Sequence, residues 1–360
     1  MNDKKDNIIK IFLEAQNRLV FQSSDLSLDS IASMVSEEAI NIKPTYQRRD
    51  RWDVPRQSAL IESFLLNIPV PPIYLAEDEY GKYSVIDGKQ RITAIYNFIN
   101  QGMELESLEK FKELEGYTFN ELPAQLNNAL KIRPYLRVIT LLKQSDPNLK
   151  YEVFNRLNTG GIKLLPQEIR NAAYEGEFNR LLIKLSENSF LVKQFNINSE
   201  KERLQSKVYK EMIDLEYVLR FFTLRSTWNS FSGNMKNELD NFMRNHQQVD
   251  SGALEEFDFL FNKSMEACEI IFGKDAFRRP DGRNELIQGI YDAQAVGLSF
   301  FVQNSFQALI DNKVLIKETF NQKYTEDDNF QVSMRQFTSN IKQVAYRIGT
   351  MKDIVKSIIE

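Results

Sequence analysis

From residue 53 to 67 the apolar side chains Leu60, Ile61, Phe64 and Leu65 recur at intervals of one, three and four, which places them on one face of a helix. Asp53 suits the N-cap of that helix and Pro55 its first turn, where a missing N–H costs nothing. The run Ile68-Pro-Val-Pro-Pro forbids helix and leads into Ile73-Tyr-Leu-Ala. A turn at Asp78-Glu-Tyr-Gly81 joins this to Lys82-Tyr-Ser-Val-Ile, so a β-hairpin is expected. Helical spacing returns at Ile92, Ile95, Tyr96 and Ile99 and ends at Gly102. Arg137-Val-Ile-Thr-Leu-Leu reads as another strand, and residues 148–157 read as a short helix after Pro147. Asn158-Thr-Gly-Gly-Ile reads as a loop, followed by a helix that opens at Pro166 and carries Ile169, Ala172 and Ala173.

Beyond about residue 175 the pattern becomes almost wholly helical, with segments expected at 208–223, 254–272, 285–302 and 337–359. The chain is therefore expected to be α+β, with an N-terminal domain over residues 1–175 containing a small sheet and a mainly α-helical domain over 176–360. The clustered aromatics Phe257, Phe259 and Phe261, and Phe300 with Phe301, read as core rather than as base-stacking platforms.

Composition narrows the chemistry. With 360 residues and 42% hydrophobic content, two cored domains are affordable, and disorder is not expected. The net charge of −4 gives no global basic field for a polyanion, so any nucleic-acid contact must be local. One cysteine, Cys268, excludes an internal disulfide, and with the single histidine, His246, it cannot furnish a Cys/His zinc site. Neither is assigned any chemistry. The mixed-charge start and the lack of a long apolar run point to a soluble cytoplasmic protein with no membrane partner.

The informative stretch is Asp87-Gly-Lys-Gln-Arg91, where a strand is expected to pass into a helix. A helix N-terminus carries roughly half a positive charge and N–H groups without intrahelical acceptors, which suits a phosphate. Gly88 lets an anion approach the backbone, Lys89 and Arg91 add charge, and Gln90 is placed to orient a water or a ribose. Asp87 would repel phosphate unless a cation stands between them; Mg²⁺ bridging Asp87 and phosphate oxygens removes the conflict. The competing reading is a capped turn with a solvated first helical turn.

Two further clusters bear on that choice. Glu152 and Arg156 sit four apart on the expected helix, with Asn158 and Thr159 at its exit, and these four could converge on one ligand or amount to an ordinary ion pair and a loop. In Pro44-Thr-Tyr-Gln-Arg-Arg-Asp-Arg-Trp52, Arg48, Arg49 and Arg51 stand beside Tyr46 and Trp52, either as a surface basic loop or as a phosphate or DNA contact.

In this order, Tyr46-Gln-Arg48, Asp87-Gly-Lys-Gln-Arg91, Phe154-Asn-Arg-Leu-Asn-Thr-Gly-Gly161 and Gln167-Glu-Ile-Arg-Asn171 resemble the GmrSD restriction family, specifically its GmrS-like N-terminal domain with a ParB/sulfiredoxin-like fold. The resemblance spans about residues 28–175 and continues more loosely at Asp214-Leu-Glu-Tyr-Val-Leu-Arg-Phe-Phe222. It implies a nucleotide-binding and NTP-hydrolysing module, with an NTP as substrate, in a bacterial system that restricts modified phage DNA, and the Asp87 argument adds Mg²⁺ as its cofactor. The family's Asp-Gly-Gln-Gln-Arg motif carries over to Asp87, Gly88, Gln90 and Arg91, with Lys89 replacing its third-position Gln. On this reading Asp87, Gln90 and Arg91 are catalytic, with Asp87 also holding the metal. Gly88, Lys89, Arg48, Glu152, Arg156, Asn158 and Thr159 bind the nucleotide, and Arg49 and Arg51 contact DNA. The HNH-type partner of the family needs several histidines, so cutting is expected to fall to a separate nuclease or effector chain. The alternative is a non-enzymatic nucleic-acid-binding or scaffold protein that keeps the fold.

Overall fold

The computed structural model describes residues 2–42, 52–145, 152–153, 156–157, 165–174, 176–280, 282, 285–336 and 339–360. The chain divides into two compact units, Met1–Leu165 and Pro166–Glu360. It is α+β: a small mixed sheet lies in the first unit and the second is mostly helical.

The first unit begins with helix α1 (Asn2–Arg18), strand β1 (Phe21–Ser27), helix α2 (Leu28–Ser36) and the two-residue strand β2 (Ile40–Asn41). Helix α3 (Val54–Leu65) is capped as its sequence predicts, with the Asp53 carboxylate accepting the Arg56 N–H and Pro at the helix start. Strands β3 (Ile73–Glu79) and β4 (Lys82–Asp87) form the expected hairpin, and α4 (Lys89–Asn100) follows directly. Helix α5 (Ala124–Ile132) and strand β5 (Tyr135–Leu141) complete the described elements of this unit.

The sheet order is β1-β5-β3-β4-β2, with β1–β5 and β3–β4 antiparallel and β3–β5 and β4–β2 parallel. On β5 exposed Tyr135 and Arg137 alternate with buried Leu136 and Val138, the period of a sheet with one covered face. The inward residues Ile73, Leu75, Val85, Leu136 and Val138 join Ile31 of α2, Ile61 of α3 and Ile95 of α4 in one apolar core. Within it Phe98 and Phe119 meet edge to face at 5.5 Å. Glu62 of α3 is buried beside this core and accepts the backbone N–H groups of Lys110 (2.6 Å), Phe111 (2.9 Å) and Glu109 (3.1 Å), which fixes the loop after α4. Burial pushes the Glu62 carboxyl up, but the three N–H donors outweigh it and hold the group below its ordinary value.

In the second unit the helix Ser251–Phe272 agrees with expectation, but two other segments do not. The pattern over 208–223 is cut at Met212, whose φ of 56° separates Lys207–Lys210 from Ile213–Thr227. Met212 is fully buried, so packing of its side chain outweighs the local cost of left-handed backbone. The segment 285–302 becomes a short α-helix at Gln288–Tyr291, a π-turn at Asp292–Val296 and turns beyond residue 298. Phe261 lies in the core as expected, whereas Phe259 is 45% exposed because it stands on the opposite face of the same helix.

The unusual content of this unit is charge within its core. Arg220 forks onto Asp292 through two hydrogen bonds of 2.6 Å, and Arg347 reaches the same carboxylate at 2.6 Å while donating to the Ser333 carbonyl at 2.9 Å. Arg170 is likewise buried and bonded to Asp240 (2.7 Å), Glu216 (3.0 Å) and Gln167 (3.1 Å). Cys268 is buried in apolar surroundings that push its thiol up. His246 stacks on Phe242 with ring centroids 3.9 Å apart and donates Nδ1–H to the Phe242 carbonyl at 2.8 Å. Among the described residues no helix is long and apolar enough to cross a membrane.

Candidate active site at the β4–α4 junction

The strand-to-helix step occurs at Asp87-Gly88-Lys89. In the β3–β4 ladder Leu75 pairs with Val85 and Tyr74 with Asp87, so Ile86 is an extra residue on β4. Such a bulge bends a strand and re-aims the side chains beyond it. Here the first of those is Asp87.

Gly88 is the N-cap of α4 and adopts φ 93°, ψ 13°. That left-handed conformation is open to glycine and strained for other residues. The space is closed as well: a Cβ on Gly88 would lie 2.5 Å from Ile73 Cγ2. Glycine is therefore required twice, by backbone angle and by contact with β3.

Arg91, one turn into α4, donates through Nη2 to Asp87 Oδ2 at 2.7 Å and through Nη1 to the Pro71 carbonyl at 2.5 Å. Its side chain is 12% exposed, against 42% for Asp87. Arg91 thus braces both the Asp87 carboxylate and the proline-rich entry to β3. Gln90 Oε1 accepts the Trp52 N–H at 3.1 Å. Trp52 in turn offers its carbonyl to Gln57 Nε2 at 2.8 Å, and Gln57 Oε1 accepts from Asn97 Nδ2 at 2.9 Å. This chain of bonds ties the start of α3 to the first and third turns of α4.

The structure brings Asp87, Gly88, Gln90 and Arg91 together, and adds Trp52, Gln57, Pro71, Ile73 and Asn97 around them. Those five were missed because their contacts are tertiary, with partners far apart in sequence. Glu152 and Arg156 form an i,i+4 ion pair at 2.5 Å and are 48% and 79% exposed. Arg48, Arg49, Arg51, Asn158 and Thr159 lie outside the described residues.

Residues 31–175, which include strands β2 to β5, the junction and the first helix of the second unit, match the family described as GmrSD restriction endonuclease, N-terminal domain. This stretch of the chain is thus similar to that N-terminal domain. Comparison with curated proteins and with solved structures gives no significant match.

Proposed function

We propose that this protein binds and hydrolyses a nucleoside triphosphate as the sensor or regulatory component of a restriction-type system directed at modified phage DNA. The observation that carries the reading is the junction itself: a bulge-directed carboxylate, Asp87, and an obligatory glycine, Gly88, open a helix within the segment that matches the GmrSD domain. A ParB/sulfiredoxin-like arrangement of this unit belongs to the same proposal.

In this reading the phosphates lie against the start of α4, where the helix dipole and Lys89 attract them. Arg91 keeps Asp87 oriented, and Gln90 acts by holding Trp52 and so the end of the segment that carries Arg48. Arg48, Glu152, Arg156, Asn158 and Thr159 complete the nucleotide contacts, while Arg49 and Arg51 meet DNA. One half-exposed carboxylate suits Mg²⁺, which commonly takes one or two protein carboxylates and completes its shell with water and substrate phosphates. Among the described residues no cluster of three or more His, Cys, Asp or Glu offers an all-protein cage. Asp87 is accordingly the residue that would hold the ion, whose contribution is to neutralise charge on the phosphates. A separate nuclease or other effector chain would deliver the cut.

Phosphate release from a panel of NTPs with Mg²⁺ tests the proposal. Asp87→Ala is expected to abolish release while the melting curve of the helical unit stays in place. Release equal to wild type in that variant overturns the assignment. Wild-type protein that binds NTP or DNA without turnover would instead support a non-enzymatic scaffold, a reading favoured by the internal bonds that occupy Arg91 and Gln90.

A further inference from the structure

Three hydrogen bonds lead from Asn97 to Gln90, and the backbone of Trp52 fixes the sense of all three. A backbone N–H can only donate and a backbone carbonyl can only accept. The Gln90 atom 3.1 Å from the Trp52 N–H is therefore Oε1, and the Gln57 atom 2.8 Å from the Trp52 carbonyl is Nε2. Gln57 then turns its own Oε1 to Asn97, whose matching atom at 2.9 Å must be Nδ2. Turning over any one of these amides would set two donors or two acceptors face to face. Each hydrogen is given in one direction, from Asn97 to Gln57, from Gln57 to Trp52 and from Trp52 to Gln90.

The last amide is thereby aimed. With Oε1 of Gln90 turned to Trp52, the end turned the other way is Nε2, which can only donate. Gln90 is the second residue of α4, two positions past its N-cap Gly88, and it is half-buried. The backbone N–H groups that open a helix are donors as well, so Nε2 extends a surface suited to an acceptor.

Gln57 separates orientation from simple bracing. It is 7% exposed at the edge of a core that already includes Ile61 of α3 and Ile95 of α4. An apolar residue there would brace the helices without the cost of a buried amide, which is offset only while both of its ends are bonded. What a satisfied polar network adds to apolar packing is a unique orientation of each member.

We propose that Gln57 and Asn97 are positioning residues for the bound nucleotide: they hold the Trp52 backbone, which in turn holds the Gln90 amide with Nε2 towards a phosphate oxygen. This rests on the nucleotide reading of the junction and gives one of its contacts a sign. Gln90 donates to an acceptor on the ligand and does not serve to accept a hydrogen bond from an attacking water.

Double-mutant cycles, read by calorimetric binding of a non-hydrolysable NTP analogue with Mg²⁺, test this. Gln90→Met, which removes the donor, is expected to raise the dissociation constant about tenfold or more, the loss expected for a hydrogen bond to a charged group. Gln57→Met and Asn97→Leu are each expected to raise it by about three- to tenfold, within the range of couplings in one hydrogen-bond network. In the Gln90→Met background the same two substitutions should change it less than about twofold, because they act through an amide that is no longer there. Equal losses in both backgrounds would mean a general loosening of the fold and overturn the proposal, as would wild-type affinity in Gln57→Met and Asn97→Leu. Gln90→Glu, ionised at neutral pH, still accepts from Trp52 but has no donor, so it should bind no better than Gln90→Met; wild-type affinity there overturns the donor role. Should buried Gln57→Met fail to fold, Asn97→Leu, at a half-buried position, carries the cycle. Wild-type protein that binds no NTP ends the nucleotide reading and this assignment with it, whereas wild-type protein that binds NTP no better than the Gln90 variants ends the assignment alone.

Discussion

The two units use arginine in contrasting ways. In the sheet unit the paired arginines lie outside the apolar core: Arg91, Arg137 and Arg156 are 12%, 57% and 79% exposed, and the one buried carboxylate, Glu62, is met by backbone N–H groups among the described residues. In the helical unit Arg170, Arg220 and Arg347 are no more than 2% exposed, each bonded to a carboxylate within the fold. A buried ion pair gains little net stability, because desolvation offsets most of the Coulomb attraction, but removing one member leaves a charge stranded. The sheet unit is therefore held by buried area, which tolerates small shifts, while the helical unit is held in register by directional charge. Asp292 makes the contrast sharpest, since one carboxylate at the start of a π-turn receives both Arg220 and Arg347.

The largest expected effect follows from that carboxylate. Asp292→Ala strands two buried guanidinium groups and should destabilise the helical unit by about 3–5 kcal/mol or more. Urea titration followed by tryptophan fluorescence from Trp228 would show it, and a loss below about 1 kcal/mol, the scale of a surface pair, would erase the contrast. Next comes Gly88→Ala, which combines a φ of 93° with a Cβ placed 2.5 Å from Ile73 Cγ2. Strain of this kind costs on the order of 1–3 kcal/mol, confined here to the sheet unit. Adding Ile73→Ala should relieve the overlap but leave the backbone strain, though its own cavity cost must be measured in the single variant.

A smaller effect is expected from acid. The folded Glu62 carboxyl lies below its ordinary value of 4.5, so its contribution is complete above that pH and is lost as pH falls through the lower folded value. Glu62→Gln should flatten this part of the stability–pH curve while lowering stability at neutral pH by about 1–3 kcal/mol, as an amide N–H₂ now faces backbone donors. Smallest of all is Arg137→Ala, which removes the surface fork to Asp25 and should leave the melting curve unchanged within error.

Much of this fold was legible where one local rule acted alone. The Asp53 cap, the Pro-rich break, the β3–β4 hairpin and the period of α4 each depend on neighbours in sequence, and each was read correctly. Strand β1 was not read, because Phe-Gln-Ser-Ser-Asp-Leu-Ser has no apolar alternation; it forms through backbone bonding to β5 at the edge of the described sheet. The break at Met212 was invisible for the opposite reason, since apolar periodicity continues through a residue whose burial forces the turn. At the junction, strand-to-helix placement was legible, whereas Gly88 was singled out for anion approach and not for the left-handed backbone and the Ile73 contact that require it. The partner of Gln90 lies 38 residues away, and no local pattern encodes it.

The placement of β5 has a consequence for the order in which the sheet can be made. It is the last of the five described strands to be synthesised, yet it sits between β1 and β3, pairing Phe21 with Leu141 and Ile73 with Val138. Until residue 141 is available, β1 has no ladder to join. At translation rates of about 5–20 residues per second this wait lasts roughly 6 to 25 seconds. An apolar strand left open that long would be a template for aggregation. Serines, a glutamine and an aspartate make β1 inert during the interval, so the polarity that hides the strand from pattern reading also protects the nascent chain.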